Sequence, residues 1–355
     1  MKNGESRMIC DSEGKAEYFN KDFDWEELRA EVESNPSFHY HFLPFQSSFS
    51  QSHSSETDVD AWKQFHTRHS SGKFFKERRY LLKEFPELLH CGPNSKLLEI
   101  GCGNGSTVLP ILRANKYVVI YACDCSNETL ERAKEIISAT KVVSYIHRIH
   151  TFCCDLSTDV FPNWLAYNPC QDVRADKGLH FTNSYSSEDC DTCVGGVDFV
   201  TLIFTLSAVP LERMPRSIKE CFTVLKPGGM VLFRDYVLLN PKLLTMLEPH
   251  ELGLYDMTML RFEPQKRVGF REYMRSDGTR SYFFCLDTVR NLFVGAGFTE
   301  ILNLSSVNLP IILLVSQVSM KSELELDYCC VKSVNRRKGK SMRRVWVHGK
   351  FQKPT

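Results

Sequence analysis

The chain has 355 residues, with 44 Lys and Arg against 43 Asp and Glu and a net charge of +1, so overall charge does not draw it to nucleic acid. Its 43% apolar and 25% charged residues are ordinary for a globular protein with a full core, and no window reaches the ~18 apolar residues of a membrane span. Fourteen cysteines follow an N-terminus with no apolar leader, and its early acids (Glu5, Asp11, Glu13, Glu17) argue against a transit peptide, so the expected setting is reducing: the cytoplasm, with the nucleus open.

Residues 1–57 read as a partly disordered extension. Within it FDWEELRAEV (residues 23–32) has the spacing of a short amphipathic helix, and the Ser- and His-rich SSFSQSHSSETD that follows reads as a linker. Residues 58–93 mix aromatics (Trp62, Phe65, Phe74, Phe75, Tyr80) with cations (Arg68, Lys73, Lys76, Arg78, Arg79). Two readings are open there: base stacking with phosphate contact, or a helix packed on a sheet with its cations in water.

From residue 94 strands and helices alternate. A first strand (residues 96–100) runs into Gly101, Gly103 and Gly105, and a helix begins near Ser106 or Thr107. A dinucleotide loop would need a third glycine where Ser106 stands, and no Lys-Ser/Thr pair follows, which excludes a P-loop. A loop at the C-terminal end of a strand is where open α/β sheets bind ligands. A second strand (116–126) ends at Asp124, about twenty residues past the glycines, where a carboxylate accepts from ribose hydroxyls. A helix (127–138) leads to a third strand (147–157) ending at Asp155, placed to accept from an adenine amino group.

Residues 163–195 read as a polar insertion. Its Cys190-x-x-Cys193 has no second pair at zinc spacing, so no metal is expected. A fourth strand (196–210) starts near Asp198. A helix (210–225) and a Pro-Gly-Gly turn feed a fifth strand whose end presents Arg234, Asp235 and Tyr236. A helix over 287–296 stops at Gly297. Residues 324–333 and 343–351 read as a β-hairpin over VNRRKGKSM, in a run that carries Lys332, Arg336, Arg337, Lys338, Lys340, Arg343, Arg344, Lys350 and Lys353 and no acid. Unopposed cations at that density suit phosphate contact, with a solvated hairpin as the bland alternative. The whole order predicts an α/β fold, a mostly parallel sheet with an antiparallel end.

LEIGCGNGS resembles the S-adenosylmethionine loop of Rossmann-like methyltransferases, and with YACDCS, CCDLS and LIFTLSAVP it marks that superfamily. FFKERRYLLKEFPEL, LKPGGMVLFRDY, GLYDMTMLRF, RSDGTRSYFF and VNRRKGK…RVWVHGKFQKP are more specific. Over residues 62–354 the chain resembles the eukaryotic tRNA 3-methylcytidine methyltransferases, which modify cytidine 32 of the anticodon loop. The resemblance implies a Rossmann-like class I methyltransferase domain over residues 94–355 with a seven-stranded sheet, and S-adenosyl-L-methionine as donor. It implies cofactor contacts at Trp62, His66 (often Tyr in the family), Gly101, Gly103, Asp124, Asp155, Leu156 and Ile203. It also implies tRNA contacts at Phe75, Lys76, Arg78, Arg336, Arg337, Lys338 and Lys340, and a protein that presents the anticodon stem-loop, such as an aminoacyl-tRNA synthetase. Residues 237–252 and 301–323 stand outside the family pattern, and the first is expected to displace residues 253–262.

N3 of cytosine has a free lone pair, so no general base is needed. Asp235 is the first candidate to stabilise the charge that develops on the methylated ring and Asp198 the second, with a surface place at the strand entry the preferred reading of Asp198. Arg234 and Tyr236 are the candidates for orienting the base, and Asp235 as simple ion-pair partner of Arg234 stays open. Two rivals remain at this level: methyl transfer to another RNA, a protein or a small molecule, and a non-catalytic RNA-binding variant.

Overall fold

Short apolar runs form the sheet. They are β1 (Lys96–Ile100), β2 (Val119–Asp124), β3 (Ile149–Cys153), β4 (Val197–Ile203) and β5 (Leu225–Tyr236). The computed structural model describes residues 23, 25–41, 43–45, 55–69, 77–168, 194–237, 256–303, 323–324, 326–335 and 340–355. β1 pairs in parallel with β2 on one side and β4 on the other; β3 continues beyond β2 and β5 beyond β4. Both faces of this sheet are covered, which is why its strands read as continuous apolar runs. Leu98, Ile100, Val200, Leu202, Val231 and Phe233 face one core cluster, while Leu97, Ile120, Ala122, Ile203 and Leu232 face the other.

The helices fill in around it. α1 (Trp25–Ser34) buries Leu28 and Val32, one turn apart, in the larger cluster. α2 (Ser55–Arg68) starts inside the Ser-rich stretch expected to be linker. α3 (Leu81–Glu84) and α4 (Glu87–His90) are single turns, and α5 (Val108–Ala114) follows the glycine loop. α6 (Asn127–Ser138) is capped by Ser126, whose hydroxyl accepts from Thr129 N–H at 3.3 Å. α7 (Val143–Ile146), α8 (Met214–Val224) and α9 (Leu286–Gly295) complete the set, and α9 is closed by Gly297 at φ +102°.

Residues 263–284 hold a feature that the sequence reading left blank, a separate antiparallel sheet of β6 (Arg267–Gly269), β7 (Glu272–Met274) and β8 (Arg280–Tyr282). The short β9 (Thr299–Glu300) joins the main sheet, and β10 (Leu302–Asn303) pairs with β11 (Glu323–Leu324). β12 (Asp327–Asn335) and β13 (Lys340–Gln352) are the expected hairpin, and β13 runs antiparallel to β5. The main path is therefore β12-β13-β5-β4-β1-β2-β3, seven strands with β9 as an added eighth. The order reverses between β1 and β4, which opens a crevice at their C-terminal ends.

Of the two atypical segments, the second leaves and rejoins the body through the β10–β11 ladder; residues 304–322 lie outside the described residues. Val237 is buried and bridges to Phe284, and residues 238–255 lie outside. The expected displacement does not occur over residues 256–262. Asp256 and Met259 are fully buried there, and Asp256 accepts from Arg344 at 3.0 Å.

A buried ion pair ties the N-terminal helices to the sheet. Arg234 on β5 donates to Glu84 on α3, and His348 on β13 bonds the other Glu84 oxygen at 3.1 Å. The guanidinium lies 4.7 Å from the Tyr80 ring and 4.3 Å from that of Trp346. Removing one member of such a pair leaves a buried charge uncompensated. Glu84→Ala should therefore cost about 3–5 kcal/mol, seen as a lower urea midpoint; a parental midpoint would refute the tie.

Candidate active site

The crevice is built by backbone that only certain residues can adopt. Past β1 the chain turns through Gly101 and Gly103, at φ +67° and +53°. A Cβ on Gly101 would sit 2.7 Å from the Thr205 side chain, so the position admits glycine alone. Thr205 holds its place by donating its hydroxyl to the Ile100 carbonyl at 2.9 Å. Beside it, Phe204 takes φ +58°, a left-handed conformation uncommon outside glycine, and its N–H donates to the Arg234 carbonyl at 2.8 Å. Backbone strain of this kind collects at functional sites.

A cavity of about 430 Å³ opens over these turns. One face of α2 lines it with Asp58, Trp62, Phe65 and His66 at helical spacing. Gly101 and Gly103 form its floor, and the ends of β2 to β5 bring Asp124, Asp155, Leu156, Ile203, Phe204 and Tyr236. The turn between β7 and β8 adds Arg275 and Asp277. All eight expected cofactor positions thus meet in one cavity.

Asp124 accepts from Gly103 N–H at 3.0 Å and Ser126 N–H at 3.3 Å, which fixes the carboxylate against the loop. Burial raises its pKa, opposed by the nearby His66; burial lowers the pKa of His66 in turn, opposed by the Asp124 carboxylate. Asp155 accepts from Ser157 N–H at 2.9 Å and the Thr158 hydroxyl at 3.1 Å. Cys154, Leu156, Val209 and Pro210 supply apolar lining near it. A glycine floor, a fixed carboxylate at the end of β2 and a second carboxylate with apolar neighbours past β3 fit an adenosine-bearing cofactor.

The residues at the end of β5 separate. Successive side chains on a strand point to opposite faces. Tyr236 lines the cavity, 5.1 Å from the Phe204 ring, with the Arg275 and Arg344 guanidinium groups each 5.7 Å from its own ring. Asp235 is fully buried away from the cavity and is not the ion-pair partner of Arg234. Its oxygens accept from Ser207 N–H at 2.9 Å and Tyr236 N–H at 2.8 Å, and burial raises its pKa to about 6. Arg234 is held by Glu84 and the two rings instead of facing a base. Asp198 takes the strand-entry place preferred for it and not the catalytic one. It binds Lys96 N–H at 2.7 Å and Lys226 at 2.9 Å where β4 begins, at the opposite edge of the sheet.

Arg78, expected to face tRNA, lines the cavity and donates to the Thr107 hydroxyl at 3.2 Å and the Ile203 carbonyl at 3.4 Å. Phe75, Lys76, Arg336, Arg337, Lys338, Cys190 and Cys193 lie outside the described residues; Lys340 opens β13, with its side chain outside them. The sequence reading missed Phe204, His69, Arg275 and Asp277. For Phe204 the signal was its place after the fourth strand, and for Arg275 and Asp277 the turn-forming RSDGT.

Behind the loop, Glu99 is buried and accepts from the Thr201 hydroxyl. Burial raises its carboxyl from the ordinary 4.5 to about 7. Between those two values the folded chain keeps a proton that the unfolded chain has lost. Stability should therefore fall as pH rises through this window and level off above it. Glu99→Gln should flatten this limb of a denaturation-versus-pH curve; an unchanged slope would refute the shift.

Comparison with known proteins agrees with this geometry. A methyltransferase domain model matches residues 74–303. The tRNA N(3)-cytidine methyltransferase METTL6 of Rattus norvegicus is 32% identical over 312 residues, which cover 87% of this chain and 84% of the relative. The tRNA N(3)-methylcytidine methyltransferase Mettl2 of Drosophila melanogaster is 30% identical, over 82% of this chain and 70% of the relative. A solved SAM-dependent methyltransferase from Methanosarcina mazei shares 17% identity over 75% of this chain and 95% of its own, with a TM-score of 0.40. From the long alignments to METTL6 and Mettl2, the chain belongs to the tRNA N(3)-cytidine methyltransferase family.

Proposed function

We propose that this chain transfers a methyl group from S-adenosyl-L-methionine to N3 of a cytidine in tRNA. The observation that carries the reading is one cavity in which the cofactor positions meet an aromatic and arginine mouth of Phe204, Tyr236 and Arg275, in a chain of this family. The cofactor supplies an activated methyl on a positively charged sulfur. Four aspartates line the cavity (Asp58, Asp124, Asp155 and Asp277), and their negative field favours a cationic donor. Gly101 and Gly103 let the backbone approach closely, Asp124 accepts ribose hydroxyls, and Asp155 and Leu156 take the adenine end.

The acceptor base faces Phe204 and Tyr236. The work of these side chains is to place N3 within about 3–3.5 Å of the methyl, in line with the bond that breaks. No residue has to remove a proton from N3. Asp235 acts indirectly: it ties Tyr236 to Ser207, beside Ala208 and Val209 in the cavity wall. N3 is engaged in a duplex, so the target must be unpaired or flipped out. Cytidine 32 of the anticodon loop meets that requirement; Arg343, Arg344 and Lys350 are paired with Glu31, Asp256 and Glu87, and Lys353 donates to backbone carbonyls, so stem phosphates would fall to Arg336, Arg337 and Lys338. The reading includes a protein that presents the anticodon arm, and the cytoplasm as compartment.

Mass spectrometry of nucleosides from total tRNA incubated with this chain and the donor should show 3-methylcytidine. Its absence, with and without an added anticodon-binding partner, would defeat the reading. Asp124→Asn should weaken donor binding by roughly tenfold or more in calorimetry, the size of a lost charged hydrogen bond; unchanged affinity would refute the ribose role.

A further inference from the structure

α2 covers the cofactor cavity but is undercut on two sides. One side is the cavity itself. The other is a groove of about 500 Å³ lined by Lys63 and Thr67 of α2 and by Ser126, Glu128, Glu131 and Arg132 at the start of α6. Firm contacts come from a third direction, the β7–β8 hairpin. Arg280 on β8 reaches Asp58 in the first turn of α2 at 3.6 Å. Arg68 in the last turn of α2 donates to the Asp277 carbonyl at 3.3 Å. Between them Gly278, at φ +85°, faces Ala61 at a spacing where an added Cβ would make ordinary van der Waals contact with its methyl, 3.4 Å away. The hairpin therefore grips α2 at its start, middle and end.

Arg280 is the charged member of this grip and is nearly buried, at 9% exposure. Glu272 on the neighbouring strand accepts from it at 2.5 Å, which holds the guanidinium at a fixed height above the hairpin. Arg280 itself does not line the cavity, whereas Asp58, Trp62 and His66 do. The turn of the same hairpin presents Arg275 and Asp277 to the acceptor side. One element thus touches the donor cover and the acceptor wall.

We infer that Arg280 is a positioning residue: through Asp58 it pins α2, with Trp62 and His66, over the cofactor and links that cover to the acceptor wall. The inference rests on the cofactor reading above. Where donor and RNA are coupled through this hairpin, the coupling acts equally on both affinities. Arg280 touches neither ligand, so its loss should change affinity and leave the chemical step intact.

The test uses the full chain. In Arg280→Gln, amide exchange over residues 58–69 of the ligand-free protein should speed up while exchange in β1 and β4 stays parental. The dissociation constant for S-adenosylmethionine should rise roughly threefold or more, the scale of a partly exposed ion pair. Its KM should rise with it while kcat at saturating donor stays within about twofold, and the coupling to an anticodon stem-loop RNA should shrink. Arg280→Lys should restore most of this. Asp58→Asn cuts the contact from its other end and should reproduce the exchange effect, which keeps the test usable if Arg280→Gln fails to fold. Parental exchange over residues 58–69 in both variants would overturn the inference, as would a fall in kcat with unchanged KM. A parent that fails to bind the donor would defeat the cofactor reading, while the exchange comparison would still decide the grip.

Discussion

The site depends on a steric constraint between two neighbouring strands. β1 and β4 lie side by side, and the chains leaving their ends nearly collide at Gly101 and Thr205. Thr205 is bonded back to β1, so neither partner can retreat. The outcome is a floor of bare backbone under one half of the cavity and a forced left-handed turn at Phe204 over the other. The glycine floor and the Phe204 wall of the cavity thus adjoin one crowded contact, set by a short stretch of chain.

Charge is arranged on the same principle of separation. Arg234, Asp235 and Tyr236 are consecutive, yet strand alternation and local partners send them into three environments: a buried pair with Glu84, a buried cap on Ser207, and the open cavity. Of the three, Tyr236 alone lines the cavity. The other two keep β5 fixed to the helices before the sheet and to the turn after β4. The cavity itself is lined by four aspartates against Arg78 and Arg275, with the pKa of His66 lowered by burial.

Much of this was legible in the sequence because its causes are local. The apolar runs, the alternate glycines, Asp124 and Asp155 each follow from spacing within one strand–loop–helix unit, and the β12–β13 hairpin follows from two runs around a polar turn. What escaped depends on distant parts of the chain. Glu84, which claims Arg234, lies 150 positions earlier. Asp198 sits at the start of a strand, and only the strand direction shows that the chemistry is at the other end. The β6–β8 sheet has strands of three residues, too short for periodicity to register. Arg275 and Asp277 belong to a hairpin turn whose place over α2 no local pattern records.

The β10–β11 ladder has a consequence for how this fold tolerates change. Two residues on each side, Leu302–Asn303 and Glu323–Leu324, bring the ends of a long segment together just before the closing hairpin. Chain entering between these two strands joins the body at one ladder, which lies outside the pairing of β12 with β13. The entropy of closing such a segment grows only slowly, by about 0.6 kcal/mol per doubling of its length. Extra sequence can therefore be gained, lost or exchanged at this ladder without re-threading the sheet, which makes it a natural graft point for a binding peptide or reporter.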